Sequence, residues 1–439
     1  FLEAVANLDA SSTVGKEAER MINMGSHPFG LFYSAGAAWR LSNEEFLRNV
    51  SAIEELKIRA SYSIAGNDDI GPYSAQDYYV QLLYRGVTGI IPGRTANLSL
   101  KNETMQMINV GIDLSMFGEK LNVAGNIFQN STDDLFLQTQ TEGWIWDELL
   151  ARNSGSSTTQ GIEFEAGTFF KIGRKLLLSS SVNVTRLESR INEIYKDQVV
   201  IPIEGGQLLY QSGSSFPQFY GYEFEGVFST EAETGGLLND ENIPYRAGDA
   251  KYADLSGPDG QPDGKISDFD KTALGSPIPK LYGGWLNRIT YGKWVMDVNF
   301  QFVSGNKIYN YKRYLSEGMT DFANQSLHVE KRWRQEGDIT NTPRALLGDD
   351  IGNSNFSSRW IEDGSYIRLK SAALRYIIPD KFIAFQNAEF YLSGHNLFTL
   401  TNYLGDPEVG RGYRNFQQGI DYGLLPNIRT VMLGVKLGL

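Results

Sequence analysis

Four aspartates between positions 254 and 268 are the residues of this chain best spaced to do chemistry. Asp254, Asp259, Asp263 and Asp268 punctuate a stretch that bends at Gly257, Gly260 and Gly264, and carboxylates set along a glycine-rich turn can surround a hard cation with oxygen. The expected ion is Ca2+ or Mg2+, although the spacing departs from the strict calcium-loop pattern. Pro258 and Pro262 sit inside the bend, and a solvated acidic turn is the competing reading. No cofactor is otherwise required.

Aromatic side chains are the second chemical resource. Trp144, Trp146, Tyr220, Tyr222, Tyr309, Tyr311 and Trp333 fall in segments that read as loops, where flat rings can stack on sugar faces or fill pockets around peptide side chains. The bland alternative places such rings, with Trp360, in loop interiors or interfacial girdles. Arg332, Trp333 and Arg334 form a cationic and aromatic run suited to an anionic substrate or a lid protein, against which stands a solvated loop surface. For catalysis there is little: His27, His328 and His395 share no helical spacing, and no nucleophile elbow, phosphate loop or dinucleotide fingerprint occurs. The chain is therefore not expected to be an enzyme.

The elements that must carry these loops show in the hydropathy pattern. From Trp294 to Val303 one face reads Trp294, Met296, Val298, Phe300, Phe302, and the other Val295, Asp297, Asn299, Gln301, Val303, so alternate side chains belong to different solvents. Leu56, Ile58, Ala60, Tyr62 and Ile64 alternate likewise with Lys57, Arg59, Ser61 and Ser63. So do Val431, Leu433, Val435, Leu437 and Leu439 with Met432, Gly434, Lys436 and Gly438. Segments of about ten such residues are what a membrane-crossing β-strand requires. The mean hydropathy of -0.30 and the absence of any long apolar run exclude a helical membrane protein.

Strands are expected near 28–41, 55–66, 77–85, 104–117, 119–130, 158–173, 174–187, 218–228, 279–291, 292–305, 364–379, 386–397 and 428–439. Very short connections, such as Phe117 to Lys120, alternate with long ones rich in Asp, Gly, Asn and Pro near 229–278 and 306–363. That asymmetry belongs to outer-membrane barrels, with short periplasmic turns and long extracellular loops. A net charge of -12 without a basic stripe argues against nucleic acid as a partner. Zero cysteines remove disulfides, thiolate metal sites and lipid attachment through Cys.

Several strings then carry a resemblance. They include Leu31 to Ser42, Leu56 to Tyr62 with Gly66-Asn67, Lys101 to Thr104, Asn109 to Asp113, Gln160 to Phe164 and Phe219 to Phe228. The closing stretch adds Trp360 to Lys370, Ser393 to Thr399 and Asp406-Pro407-Glu408-Val409. In these the chain resembles the C-terminal barrel portion of the SusC/RagA family of TonB-dependent outer-membrane transporters of Bacteroidetes. The resemblance implies an all-β fold, part of a large antiparallel transmembrane barrel of about 22 strands, with about 12 to 14 of them here. It further implies a bacterial outer-membrane location, a SusD-like surface lipoprotein as lid, TonB acting on a plug, and oligosaccharide or oligopeptide cargo. With no initiator Met and no signal peptide, residues 1–439 are expected to be one barrel portion, the plug and first strands lying upstream. The departures are the Pro258 to Pro262 insertion in the acidic loop and a final Leu439 where the family ends on Phe. The alternative to import is a SusC-like barrel serving as a scaffold in a larger outer-membrane complex. A soluble surface sandwich is the third reading.

Overall fold

The computed structural model describes residues 1–19, 21–24, 27–141, 148–215, 217–379, 386–408 and 418–438. Strand dominates, and the chain divides into two compact units, one of residues 1–198 with 211–214, the other of 199–210 with 215–439. The first unit carries seven wall strands: β1 (Leu2–Asp9), β2 (His27–Arg40), β3 (Ile53–Asn67), β4 (Glu103–Met116), β5 (Leu121–Asp133), β6 (Gly155–Ile172) and β7 (Leu176–Ile194). Each pairs antiparallel with the next in sequence order. The second unit carries five more, β8 (Leu281–Tyr291), β9 (Trp294–Ser304), β10 (Tyr366–Ile377), β11 (Gln386–Thr401) and β12 (Thr430–Gly438), meandering in the same way.

Register converts the alternation of single strands into two faces of a sheet. Ile58 lies beside Trp39 and Ile112, Val110 beside Ala60 and Ile127, and Ile127 beside Ile162, so the apolar residues of β2 to β6 form one continuous outer surface. Ile112, Ile127 and Ile162 are exposed there although nothing in water would favour it; a bilayer would. In the second unit Trp294, Met296 and Leu374 occupy the equivalent surface.

The opposite face holds the ions. Asp113 pairs with Lys57 at 2.9 Å and with Arg59 at 3.1 Å, and Asp297 with Arg375 at 2.6 Å. These contacts span neighbouring strands, where facing side chains are close enough to meet. His395, beside Ser371, lies on this polar face too.

Eleven of the thirteen expected strands match wall strands, and two do not. Residues near 77–85 form half of a separate hairpin, Tyr78–Tyr84 with Val87–Arg94. Those near 218–228 break into two short pieces, Gln218–Tyr222 and Phe224–Val227, both paired within the loops. Both segments pair with short strands of the loops, so period-two patterning without a bilayer-length partner does not specify the wall. The strand overlooked was β1, two of whose four outward residues Leu2, Ala4, Ala6 and Leu8 are small.

At one end the connections are tight. Phe117, Gly118 and Glu119 take left-handed φ of 62°, 69° and 60° between β4 and β5. The other end carries the long loops, and in the second unit these condense around Tyr222, Phe228, Tyr245, Ala250, Tyr252, Ile266 and Ile351. Membrane strands thus support a water-facing body with its own apolar core.

The facing assignment is testable in one pair of neighbours. Val110→Arg should destabilise the folded barrel by about 2 to 4 kcal/mol, the cost of a cation on the lipid face near the midplane, whereas Asn109→Arg should cost under about 1 kcal/mol. Heat-modified gel mobility of the two variants in detergent reads the difference, and equal losses would reverse the assignment.

Candidate functional site

The best-organised polar constellation in the second unit begins at the first residues of β10. Alternation along Tyr366-Ile367-Arg368 turns Tyr366 and Arg368 to the same side, and the Arg368 side chain is only 3% exposed. Its guanidinium donates to Thr399 on β11 at 2.8 Å, to Glu408 at 2.6 Å and to Asp406. Glu408 also accepts from Lys370 at 2.9 Å, from the Tyr366 hydroxyl at 3.0 Å and from the Asn427 amide at 2.8 Å. Two strings separated by about forty residues of sequence are thereby one ion cluster. It ties the start of the loop after β11 to the barrel rim. Burial pushes the Asp406 carboxyl up, but Arg368 and the backbone amides of Glu408 and Asn427 outweigh it and hold Asp406 below its ordinary value.

A second network lies in the long loop after β9. The short helix α1 (Tyr311–Glu317) is capped by Asn310, whose side chain accepts from the Arg313 amide at 3.1 Å. Arg313, one helical turn before Glu317, grips that buried carboxylate and reaches Glu362 at 2.8 Å. His328 Nδ1 lies 3.1 Å from Glu317. Burial raises the Glu317 carboxyl, and Arg313 more than offsets it, leaving it below the usual range. Arg359 covers the Trp360 ring at 4.2 Å, and its burial pushes it down to about 10.

Beside α1 the aromatic residues assemble. Tyr309 is wholly buried, edge-on to Phe356 with ring centroids 4.8 Å apart, and donates to the Glu204 carbonyl at 3.1 Å. Around it Tyr311 and Tyr314 stack at 5.8 Å and 15°. Tyr422 meets Tyr311 edge-on at 5.5 Å and donates to the Glu204 carboxylate at 2.6 Å. Tyr311, Tyr314 and Tyr422 keep part of their surfaces open, so they make a half-buried aromatic platform with one carboxylate.

The residues expected from sequence divide accordingly. Tyr309 and Tyr311 come together, but Tyr309 is the floor of the platform and presents no face to a ligand. Tyr222 belongs to the loop core, and Tyr220 stands half-buried two residues earlier on the same short strand. Trp333 donates to the Ser229 carbonyl at 3.2 Å and lies against Gly248, where an added Cβ would come within 2.4 Å of the ring. Its neighbours Arg332 and Arg334 donate to the carbonyls of Val329 and Glu330. Trp360 is fully enclosed. Trp144 and Trp146 lie outside the described residues. Tyr314, Tyr422, Phe356 and Glu204 were overlooked. Helical spacing after Tyr311 signals the first, whereas no local pattern marks the other three.

In the acidic loop the aspartates bond to neighbouring amides and to Lys271. Asp254 accepts from the Gly264 amide at 2.8 Å, Asp263 from the Lys265 amide at 3.0 Å, and Asp268 pairs with Lys271 at 2.7 Å, while Asp259 is exposed. Among the described residues no three His, Asp or Glu side chains gather as a metal would require. The organiser is the fully buried Asp270, which accepts from the amides of Leu255, Ser256 and Ser267 at 2.7, 3.0 and 2.8 Å. A carboxylate satisfied by backbone N–H groups holds the two ends of this loop together.

No family model matches the chain. It is 33% identical to a TonB-dependent receptor of Formosa agariphila across 97% of the chain and 44% of that protein. It is 22% identical to the TonB-dependent receptor SusC of Bacteroides thetaiotaomicron across 93% of the chain and 40% of that protein. In sequence the chain is thus similar to TonB-dependent receptors, SusC among them. Its fold is that of the RagAB peptide transporter, with a TM-score of 0.81 at 21% identity over 99% of the chain and 45% of the matched one. The chain spans less than half the length of the relatives it matches, and within them it corresponds to the barrel. This receptor chain is thus an outer-membrane β-barrel protein.

The ion cluster of this receptor predicts a local unlatching. Arg368→Ala strands two carboxylates without their cation, a loss of about 3 to 5 kcal/mol. The Glu408 and Asn427 amides, which donate to Asp406 at 3.0 and 2.8 Å, should then exchange hydrogen at least about 100-fold faster, with β4 and β5 unchanged. Because the folded Asp406 value is depressed, its contribution is complete above the ordinary carboxylate pKa and disappears as pH falls through the lower one. The same amides should therefore stay protected at pH 5 and lose protection only below about pH 4.

Proposed function

We propose that this chain forms the barrel wall and cell-surface loops of an importer that takes up oligosaccharides or oligopeptides together with a SusD-like surface lipoprotein. The plug, with the segment that TonB engages, would belong to the portion of the protein outside this chain. The observation that carries the reading is the combination of a bilayer-facing wall with long loops folded into a packed body at one end. A wall alone would suit any pore or scaffold. Loops bound to the rim by buried ions, and displaying half-open tyrosines, suit a protein that holds a solute above a lumen. The names of relatives agree: SusC and other TonB-dependent receptors among the curated proteins, and a peptide importer among the structures.

The platform of Tyr311, Tyr314 and Tyr422 is the proposed cargo contact. Rings give apolar area to a pyranose face or a peptide side chain, and Glu204 and the tyrosine hydroxyls supply polar anchors. Import is the activity proposed, in keeping with relatives named as receptors and as a peptide importer.

The experiment is isolation of the native receptor from outer membranes in mild detergent, with intact mass measurement of the complex and its bound small molecules. An importer is expected to bring a lipoprotein in equal stoichiometry and to carry glycan or peptide. Unrelated assembly or secretion proteins in stoichiometric amounts would overturn the reading. In the same preparation Tyr314→Ala should lower the bound glycan or peptide at least about tenfold while barrel mobility on gels is kept. Tyr309→Ala should instead destabilise the loop body by about 3 to 5 kcal/mol, as removal of a large buried ring does.

A further inference from the structure

The outward face of β4 to β7 changes character at one level. Register sets Ile127 beside Ile162 and Ile162 beside Arg186; two positions further from the tight turns, Gln129 lies beside Gln160 and Gln160 beside Glu188. On β4 the change falls between Ile108, beside Gln129, and Gln106, beside Ser131. Gln106, Gln129, Gln160 and Arg186 are thus the first outward residues with a long polar group, eight to twelve positions from Met116, Leu121, Ile172 and Leu176 at the tight end. About ten residues of strand at about 3.3 Å each, tilted by about 40°, rise about 25 Å, the height of the apolar band of a barrel wall. With the tight turns on the periplasmic side, these four residues mark where hydrocarbon gives way to the headgroups of the outer leaflet.

Arg186 is the charge at that boundary. Toward the tight end the outward residues of β7 are Val184, Val182, Ser180, Leu178 and Leu176, none of them charged. In the other direction come Glu188 and Arg190, which pair with each other at 3.3 Å, each side chain 60% exposed. The nearest outward carboxylate of the strand is thereby engaged, and the exposed Arg186 has no hydrogen-bond or ion-pair partner among the described residues. Its cross-strand neighbour is Ile162, with Gln160 and Phe164 on the diagonals.

Chemistry selects the ligand. A guanidinium is always charged, its planar fork matches the oxygens of a phosphate, and its apolar stem can lie along the wall while the head stays at the interface. The exposed Gln160 amide adds donors on the headgroup side, and Val184 and Phe164 on the hydrocarbon side offer apolar surface to acyl chains. The bilayer itself holds phosphate at this level, so the local concentration of ligand is high.

We infer that Arg186, with Gln160, is a binding site for the phosphate of an outer-leaflet lipid whose chains run down over Val184 and Phe164. The site needs the wall and its bilayer, and neither cargo nor lipoprotein, so it stands or falls apart from the proposed function. Arg190 is excluded from it by Glu188, and the glutamines of β4 and β5 continue the same boundary without a cation.

The test uses the full-length receptor, purified from outer membranes, washed free of lipid in detergent and offered lipid extracted from the same membranes, either intact or stripped of phosphate by aqueous hydrofluoric acid. Retained lipid is measured by mass spectrometry for the natural sequence, Arg186→Leu and Arg186→Lys, with gel mobility confirming the barrel. The inference expects Arg186→Leu to retain at least about tenfold less intact lipid, as loss of a charge-assisted bond pair does, and Arg186→Lys to recover part of it because the charge returns without the fork. Stripped lipid should be held equally weakly by all three proteins. Equal retention of intact lipid by the natural and Arg186→Leu proteins would overturn the site, as would retention indifferent to phosphate. Receptor dimers lost in Arg186→Leu with lipid retention unchanged would assign the arginine to a second copy, which also refutes it.

Discussion

Everything in this molecule depends on one requirement: backbone N–H and C=O groups that cross hydrocarbon must find partners within the protein. Antiparallel ladders meet it for β1 to β7 and for β8 to β12, and they fix which residues face which solvent. Once Val110 is set beside Ala60 and Ile127, its neighbours Asn109 and Gly111 have no choice of face. The outer surface becomes uniformly apolar and the ions of Asp113, Lys57 and Arg59 are confined to the other. Sheet pairing and solvent partition are thus the same constraint seen along and across the strand.

The loops solve a different problem. They lie in water, carry many polar residues, and must still hold one conformation over long connections. Their cores combine modest apolar clusters with buried carboxylates that are satisfied in full: Asp270 by three backbone amides, Glu317 by Arg313, and Asp406 and Glu408 by Arg368. A buried ion pair adds little net stability compared with an apolar replacement, but breaking half of it is expensive. Such clusters therefore make alternative loop arrangements costly. Arg368 has the further distinction of projecting from a wall strand, so the rim and the loop body share a contact.

Aromatic residues fall into classes separated by what covers them. Outward rings such as Trp294 border the lipid face; Tyr309, Tyr222 and Trp360 fill loop interiors; and Tyr311, Tyr314 and Tyr422 remain half open. Tyr79 and Tyr84 on the hairpin form a further class, bare above a packed base. Burial, rather than residue type, separates a scaffold ring from one left open to solvent.

Legibility from sequence follows the range of the forces. Period-two alternation is local and is dictated by the bilayer, so β2 to β12 could be read directly from their residues, along with the alternation of short turns and long loops. β1 escaped because Ala4 and Ala6 carry weak hydropathy, and 77–85 and 218–228 misled because an apolar strand looks alike whether it pairs in a wall or in a loop. The chemistry of the loops was not readable in the same way. Spacing singled out four aspartates but not Asp270, the buried carboxylate that gathers the local amides. Tyr422 joins Tyr311, and Asp406 joins Arg368, only across long separations that no spacing rule encodes. The sequence by itself determined the class of solvent on each face and hence the barrel strands; only the tertiary structure decided which distant side chains share a site, because that depends on how loops close over one another in water.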